Sequence, residues 1–268
     1  GNAIRSNARY GISAGGNFNR FVSNRIEGRG AQDHGVWIDV CNRNVVTNNT
    51  ISGHTTNGVL LTSVARSNRI MGNFIVSNDV RGVFVNSPSA AKNRFDANMI
   101  LGRSYQNIGI EIADADANTI TNNTIQRHSA RGIVLSGSAS TNKIFANRVY
   151  SNTRDGIAIT NSGASWNRVV RNSLYANGSF GVRLAGGVTN RVLNNAVYAN
   201  AGGVRIVGTA GVSNRFVNNI LQSNAAVGVS NSAAGTRWEF NNVFGHTANF
   251  ANTTALAVSN GGISSNSR

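Results

Sequence analysis

The sequence of 268 residues is poor in residues that cross-link or interrupt a chain, with one cysteine, Cys41, and one proline, Pro88. A single cysteine excludes an internal disulfide and a thiolate metal site. No run of about 18 apolar residues occurs, so the sequence predicts no transmembrane helix.

Acidic residues are also scarce, with 10 against 25 lysines and arginines, and the formal net charge is +15. Lysine occurs only at Lys92 and Lys143, so arginine carries nearly all of the positive charge. Such a field attracts polyanions, which include acidic polysaccharides, nucleic acids and anionic surfaces. It says nothing about the fold.

What the chain has in abundance is asparagine, in an internal repeat. The motif Asn-x-apolar-x-x-Asn-x-apolar recurs roughly every 24 residues, a period typical of solenoids. Its first asparagines are Asn19, Asn44, Asn68, Asn93, Asn118, Asn142, Asn167, Asn190 and Asn214. A Gly-apolar-x-apolar segment follows in each period, and short segments of this kind indicate strands with one buried face.

Three such segments per period, separated by asparagine or glycine, predict three-sided coils that stack on one another. The fold class is therefore all-β, a right-handed parallel β-helix solenoid of about ten coils. We expect one domain over residues 1–268, with an irregular C-terminal end at 245–268. Because the chain begins in the middle of a repeat, we expect it to lack its native N-terminal cap and a signal peptide, and to act in an extracellular or periplasmic location.

The repeat of Asn-x-Ile-x-x-Asn and Gly-Ile-x-Leu segments resembles that of pectin-lyase-like β-helices, especially the carbohydrate-binding and sugar-hydrolase repeats of mannuronan C5-epimerases and NosD-like proteins. The epimerases carry Tyr-Gly-Phe-Asp-Pro-His-Asp, with His-Gly-Ile-Ile one coil later. Tyr10-Gly11-Ile12 and His34-Gly35-Val36 match the two segments, whereas Ser13-Ala14-Gly15 stands in place of Asp-Pro-His. The resemblance implies a carbohydrate-related protein in which Tyr10 and His34 align with the family's site.

Two turns are longer than the repeat requires, because the strand glycine comes 16 positions after the first asparagine instead of the usual 14. One leads through Asp33 and His34 into Gly35, and the other leads through Tyr105 into Gly109. We expect these two turns, three coils apart, to form the walls of a groove.

The outward residues of the glycine strands include Trp37, Leu60 and Phe84 on adjacent coils, followed by Glu111. Three stacked apolar groups on a surface suggest a platform. Such a platform suits sugar rings, or it is covered by a neighbouring subunit or another segment; oligomerisation is left open.

The histidines divide into two groups. His54, His128 and His246 occupy a repeat position that is otherwise asparagine, so we interpret them as members of a turn ladder. His34 lies outside that position, beside Asp33. A neutral imidazole oriented by a carboxylate can act as a general acid or base, although an ordinary turn histidine is the alternative.

Uronate lyases and epimerases need a base for the C5 proton, a group that neutralises the carboxylate, and an acid. His34 or Tyr10 could serve as base or acid, and an arginine before a strand glycine could neutralise the carboxylate. The predicted catalytic residues are Tyr10, Asp33, His34 and Arg81, and the predicted substrate-binding residues are Arg9, Trp37, Phe84, Tyr105, Glu111 and Arg131.

Hydrolysis of a glycosidic bond instead needs two carboxylates at a defined separation. The candidate pairs are Asp33 with Asp39, or Glu111 with Asp114 and Asp116. Hydrolysis is less favoured, because the acidic residues are few and scattered. The pair Asp114 and Asp116 leaves open a Ca²⁺ site. No other cofactor or metal is predicted.

A basic ridge follows the first asparagine of most repeats, on outward positions of one strand. Its members are Arg20, Arg69, Arg94, Lys143, Arg168, Arg191 and Arg215, interrupted at Val45 and Thr119. Like charges in register repel one another, so the ridge indicates an anionic partner or, alternatively, a solvated edge. Nucleic acid is disfavoured because no aromatic-interleaved platform and no reading helix is present.

These features favour a protein that binds an acidic, uronate-containing polysaccharide and modifies it as a lyase or C5-epimerase-like enzyme. The alternative is a non-catalytic structural or adhesive module of the surface or phage-tail type that binds polyanions. The lengthened turns and His34 favour the enzyme, whereas the regular later coils favour the module.

Overall fold

The computed structural model describes residues 1–103, 105–208, 213–251 and 257–258, and it confirms the predicted all-β solenoid. Each coil contributes one strand to each of three parallel sheets, which we call sheets A, B and C. The described residues place eleven strands in each sheet, which corresponds to about ten turns of a right-handed β-helix. No helix long and apolar enough to cross a membrane occurs in this part of the chain.

The strands are numbered in chain order. Sheet A contains β1 (Ala3–Arg5), β4 (Arg25–Glu27), β7 (Thr50–Ser52), β10 (Phe74–Val76), β13 (Met99–Leu101), β16 (Thr124–Gln126), β19 (Arg148–Tyr150), β22 (Ser173–Tyr175), β25 (Ala196–Tyr198), β28 (Ile220–Gln222) and β31 (Asn242–Phe244). Sheet B contains β2 (Tyr10–Ala14), β5 (His34–Asp39), β8 (Asn57–Thr62), β11 (Arg81–Asn86), β14 (Ile108–Ala113), β17 (Arg131–Ser136), β20 (Ile157–Thr160), β23 (Phe180–Ala185), β26 (Gly202–Ile206), β29 (Val227–Asn231) and β32 (Ala248–Ala251). Sheet C contains β3 (Arg20–Val22), β6 (Val45–Thr47), β9 (Arg69–Met71), β12 (Arg94–Asp96), β15 (Thr119–Thr121), β18 (Lys143–Phe145), β21 (Arg168–Val170), β24 (Arg191–Leu193), β27 (Arg215–Val217), β30 (Arg237–Glu239) and β33 (Ala257–Val258).

The core is a column of aliphatic side chains enclosed by the three sheets. Most three-residue strands bury their central residue, as Ile51 and Ile70 illustrate, and most of the longer sheet B strands bury two apolar residues, such as Val59 and Leu61. Full burial of such a side chain contributes about 1.5–3 kcal/mol relative to exposure. The side chains pack against the coils above and below, so stability depends on stacking.

Buried asparagines form hydrogen-bonded ladders at the corners between sheets. In a representative step, the backbone N and the Nδ2 of Asn98 both donate to Oδ1 of Asn123 at 2.9 Å, and Nδ2 also donates to the Ile70 carbonyl at 2.8 Å. Each ladder asparagine of this kind therefore connects its own coil to the coils on both sides. It also provides partners for backbone groups of the turns that would otherwise be buried without hydrogen bonds.

The histidines outside the candidate site belong to the ladder between sheets A and B, as predicted. Nδ1 of His54 lies 2.7 Å from Oδ1 of Asn78, and His128 makes the same contact with Asn152. His246 Nδ1 accepts the backbone N–H of Asn224 at 3.0 Å.

The glycine at or near the start of most sheet B strands lies against the core of the next coil. A Cβ on Gly58 would lie 2.6 Å from Cγ2 of Ile75 and 2.7 Å from the carbonyl oxygen of Gly82. No side chain fits between these atoms, which explains why the glycine recurs once per coil.

The C-terminal segment 245–268, predicted as irregular, contains β32 and β33, which continue sheets B and C. The remainder of that segment, 252–256 and 259–268, lies outside the described residues.

Candidate functional site

The outer face of sheet B aligns three of the four predicted catalytic residues in one column. Tyr10 pairs with His34, His34 with Asn57, and Asn57 with Arg81, so these residues occupy four consecutive coils. The column is set by the parallel register, because equivalent positions of stacked strands lie about 4.8 Å apart.

Three aromatic rings form a stack at the N-terminal end of this face. The Tyr10 ring lies 4.4 Å from that of Trp37 and 5.8 Å from that of His34, with interplanar angles of 21° and 18°. Nε1 of Trp37 donates to the hydroxyl of Thr62 at 2.9 Å, which fixes the indole. The guanidinium of Arg9 lies 5.1 Å from the Tyr10 ring centroid. We call Arg9, Tyr10, His34 and Trp37 the aromatic cluster.

The His34 imidazole is held by the neighbouring coil. Its Nδ1 lies 2.5 Å from Oγ1 of Thr56, and that hydroxyl donates its single proton to the Asp33 carbonyl at 2.6 Å. The amide Nδ2 of Asn57, which can only donate, lies 3.3 Å from the same Nδ1. The two neighbours of Nδ1 favour opposite tautomers, and Nε2 has the free lone pair in the tautomer in which Nδ1 donates to Thr56. No residue within the described ranges hydrogen-bonds Nε2.

Burial lowers the pKa of His34, and the positive charge of Arg9 lowers it further, while Asp33 opposes both effects. The imidazole is therefore neutral at pH 7. A neutral imidazole with an open Nε2 can accept a proton, which is the property required of a general base.

The predicted role of Asp33 as the group that orients His34 differs from the arrangement observed. Its Oδ1 accepts the hydroxyl of Thr55 at 3.3 Å, whereas the hydroxyl of Thr56 orients the imidazole. The Asp33 carboxylate acts on His34 only through its charge. The sequence analysis missed Thr56 because it lies in the next coil, at a turn position that the repeat does not mark.

Arg81 is engaged by its own surroundings. Its Nε donates to Oε2 of Glu111, and its guanidinium lies 3.9 Å from the Phe84 ring centroid. Glu111 also accepts the hydroxyl of Ser136 at 3.1 Å. Because a carboxylate already neutralises Arg81, the exposed Arg9 is the better placed cation beside His34.

The platform of three exposed apolar side chains is only partly present. Leu60 has 9% of its surface exposed, because it lies between Trp37 and Phe84 in the same column, and both of these are half-buried. The accessible apolar surface on this face therefore consists of the Tyr10–Trp37 stack and Phe84 under Arg81.

Two predicted binding residues lie away from the aromatic cluster. Arg131 is five coils from Tyr10 in the same column, about 24 Å along the axis, and it forms an ion pair with buried Asp155 at 2.9 Å. Tyr105 is 76% exposed in the second lengthened turn. These residues could contact only a long ligand that lies along the sheet.

The lengthened turns both replace the ladder asparagine by glutamine, Gln32 and Gln106. Oε1 of Gln106 accepts the backbone N–H of Asn78 at 3.2 Å, so the longer side chain reaches back to the ladder. The two turns lie at the same corner, about 14 Å apart along the axis, and they flank the coils of Asn57 and Arg81. That these two turns form the walls of a groove stays a prediction.

Asp114 and Asp116 accept hydrogen bonds from the backbone of the next coil. Their Oδ1 atoms accept the backbone N–H groups of Ser138 and Ser140 at 2.8 and 2.7 Å. Among the described residues, no group of three or more His, Cys, Asp or Glu side chains is placed to hold a metal ion.

Sequence analysis also missed an aromatic stack on sheet A. Tyr150, Tyr175 and Tyr198 stack with centroid distances of 4.6 and 5.0 Å, and Arg148 donates to the Tyr175 hydroxyl at 3.1 Å. Each tyrosine directly follows the inward apolar residue of its strand, so the repeat contained the signal.

With the fold and the site described, sequence and structure comparisons identify related proteins. The sequence profile of the family described as periplasmic copper-binding protein (NosD) matches residues 1–168. The chain belongs to the NosD family. The profile of the right-handed β-helix region matches residues 108–267, and a search of curated proteins finds no significant match.

Solved structures share the fold at low sequence identity. The A-module of mannuronan C-5 epimerase AlgE4 from Azotobacter vinelandii is 14% identical, with a TM-score of 0.75 over 98% of this chain and 80% of that one. A double mutant of the periplasmic alginate epimerase AlgG is 15% identical, with a TM-score of 0.63 over 93% of this chain and 74% of that one. The Dettilon tailspike protein is 14% identical, with a TM-score of 0.60 over 89% of this chain and 55% of that one.

The family's description implies copper, but the part of the chain that the structure describes offers no set of copper ligands. Cys41 is buried, and its Sγ hydrogen-bonds the Ala14 carbonyl at 3.0 Å. His54 and His128 are ladder residues with Nδ1 engaged, and no cluster of suitable side chains occurs in the described residues. The residues present therefore do not fit a copper centre.

Proposed function

We propose that this protein binds an acidic polysaccharide along the outer face of sheet B and acts on it by abstracting the C5 proton of a uronate. The observation that carries the proposal is the aromatic cluster, in which the open Nε2 of a neutral His34 lies beside stacked rings and the cation of Arg9. Aromatic faces suit the apolar faces of sugar rings, and the arginine suits a carboxylate.

In the proposed reaction, Nε2 of His34 takes the C5 proton while Arg9 neutralises the uronate carboxylate. The released electron pair forms a C4–C5 double bond, and the C4–O bond breaks. The leaving oxygen takes a proton from the Tyr10 hydroxyl, which solvent then restores. Tyr10 and His34 stack on one face of sheet B, and this favours elimination from one side over epimerisation, which needs an acid on the opposite face of the sugar.

Structural similarity supports a carbohydrate ligand, since two similar structures are alginate epimerases and the third is a tailspike. The NosD family is described as periplasmic, so we also propose a periplasmic or extracellular location.

The test is incubation with alginate, pectate and glycosaminoglycans, with and without Ca²⁺. Ultraviolet absorbance reports unsaturated uronate, and NMR reports the C5 configuration. His34→Asn is the site variant, because Asn57 occupies the same column one coil later. His54→Asn is the matched control, because asparagine fills that ladder position in other coils.

We expect His34→Asn to abolish turnover and His54→Asn to retain it. Equal turnover in the two variants would remove His34 from the mechanism, and no product with any polymer would overturn catalysis. We expect Trp37→Leu to weaken binding; leucine is chosen because Leu60 holds the next position of the same column.

A non-catalytic binding module is the second candidate, favoured by the pairing of Arg81 with Glu111 and of Arg131 with Asp155. These pairs stabilise a polar surface but leave the arginines less available for chemistry. Salt-sensitive binding without turnover would establish this candidate, and absence of binding to every polymer would exclude both.

A further inference from the structure

The outer face of sheet C carries a continuous row of cations in its C-terminal half. Lys143, Arg168, Arg191, Arg215 and Arg237 occupy the same outward position on the consecutive strands β18, β21, β24, β27 and β30. We call these five residues the basic ridge of sheet C. The register confirms the predicted alignment and adds Arg237 to it.

The charge of the ridge is poorly compensated within the protein. Arg215 pairs with Glu239 at 2.6 Å, whereas the other four cations have no ion pair with any described residue. Like charges opposite one another on neighbouring strands destabilise a sheet. Elsewhere in the column Val45 and Thr119 show that uncharged residues fit, so the fold does not require the cations.

An apolar strip runs parallel to the ridge. Phe145, Val170, Leu193 and Val217 occupy the next outward position on four of the same strands. Nζ of Lys143 lies 4.6 Å from the Phe145 ring centroid. Phe145, Leu193 and Val217 are partly exposed, whereas Val170 has 8% of its surface exposed. The two strips together place positive charge and partly exposed apolar side chains next to each other along the solenoid axis.

An exposed tryptophan borders the ridge at the corner before sheet C. Trp166 is 59% exposed, and it adopts a φ of 61°, which is an outlier for a bulky residue. Equivalent corner positions hold Ser67, Thr141, Thr189 and Ser213, all with positive φ. A large aromatic side chain is therefore not needed to form this turn.

We propose that the basic ridge of sheet C, with its apolar strip and Trp166, is a second binding surface for a linear acidic polysaccharide lying parallel to the solenoid axis. Such a polymer presents anions at regular intervals, which match cations about 4.8 Å apart, and its sugar rings present apolar faces to the strip. Single-stranded nucleic acid fits less well, because one exposed tryptophan provides no series of stacking platforms. This surface shares no residue with the site on sheet B and does not rest on the function proposed there.

The test compares two triple variants that each remove three positive charges. The ridge variant is Arg168→Thr/Arg191→Thr/Arg237→Thr, since threonine occupies this column at Thr119. The control variant is Arg5→Gln/Arg25→Thr/Arg148→Thr on sheet A, where Gln126, Thr50 and Thr124 hold the equivalent positions. Both are made in the wild-type and Trp37→Leu backgrounds, so that binding at sheet B is scored separately.

Binding to immobilised alginate and to polygalacturonate is measured at several salt concentrations, with thermal melts to verify folding. We expect the ridge variant to bind at least about tenfold more weakly and to lose salt dependence, while the control changes by about twofold or less. We expect Trp166→Ser to weaken binding without changing the salt dependence. Equal weakening by both triple variants, or tighter binding of single-stranded DNA than of either polymer, would overturn the proposal.

Discussion

The asparagine ladders allow a quantitative test of what holds the solenoid together, and Asn123 is the most informative position. It is buried, and its Oδ1 accepts two hydrogen bonds of 2.9 Å from Asn98. Its Nδ2 donates to the carbonyls of Phe95 and Thr121 at 2.9 Å and to Oδ1 of Asn147 at 3.0 Å. Asn123→Ala therefore removes five hydrogen bonds at once.

The expected loss follows from the groups that this change leaves unpaired. The backbone N–H of Asn98 and the carbonyl of Phe95 lose buried partners, at about 1–3 kcal/mol each. A small cavity adds to this loss. We expect the free energy of unfolding to fall by about 3–5 kcal/mol.

The matched control is Asn122→Ala in the adjacent position. Asn122 is exposed with a φ of 55°, and its one side-chain hydrogen bond goes to Asp96. Ala97 and Ala146 hold the equivalent turn positions at φ values of 51° and 55°, so alanine is accommodated there. We expect the control to cost less than about 1 kcal/mol.

Urea unfolding followed by circular dichroism gives the shift in midpoint, and amide hydrogen exchange reports the protection of the Asn98 N–H. Exchange is needed because stacked repeats can unfold in parts. If Asn123→Ala lies within about 1 kcal/mol of Asn122→Ala and Asn98 stays protected, the ladder is not a determinant of stability.

Three further predictions concern acid stability, packing and metal. Burial lowers the pKa of His54 and His128 to about 4, so the stability that these residues contribute above about pH 6.5 is lost as the pH falls towards 4, by up to about 3 kcal/mol each. The double variant His54→Asn/His128→Asn should make the urea unfolding midpoint depend less on pH over that range. A pH dependence equal to that of the wild type would contradict this prediction. Gly58→Ala should lower the free energy of unfolding by about 1–3 kcal/mol or more, and with it the thermal midpoint, because the new Cβ would contact Ile75 and Gly82. A variant that melts at the wild-type temperature would show that the close packing relaxes freely. Elemental analysis after dialysis should find less than one copper per chain, and a chelator should leave the thermal midpoint unchanged. One tightly held copper per chain would contradict the conclusion that the described residues do not form a copper centre.

The coil and its registers could be predicted from sequence because their signal is periodic. Each ladder asparagine and each strand glycine recurs at one position, and backbone pairing then aligns the outward columns. The repeat predicted Arg168 beside Arg191, whereas the common column of Tyr10, His34 and Arg81 became evident only from the strand register of the structure.

Side-chain contacts between coils could not be predicted in the same way. The Thr56 hydroxyl, rather than the adjacent Asp33 carboxylate, holds His34, because the contact depends on how one turn lies over the next. Leu60 is buried for the same reason, since it lies between the larger Trp37 and Phe84 in its column. Arg81 is engaged by Glu111, a pairing that joins neighbouring coils and leaves no trace in the spacing of the repeat.

The uniform geometry of the ladders has a consequence for how this protein can change in length during evolution. Gain or loss of a complete coil preserves every sheet register and every ladder step, whereas a fractional insertion within a strand disrupts all three sheets together. Duplication and deletion should therefore proceed in whole coils, with small insertions confined to corners such as the one at Gln106. Surface residues on one face would then be separated by multiples of the coil rise, so a binding surface could be lengthened without redesign of the core.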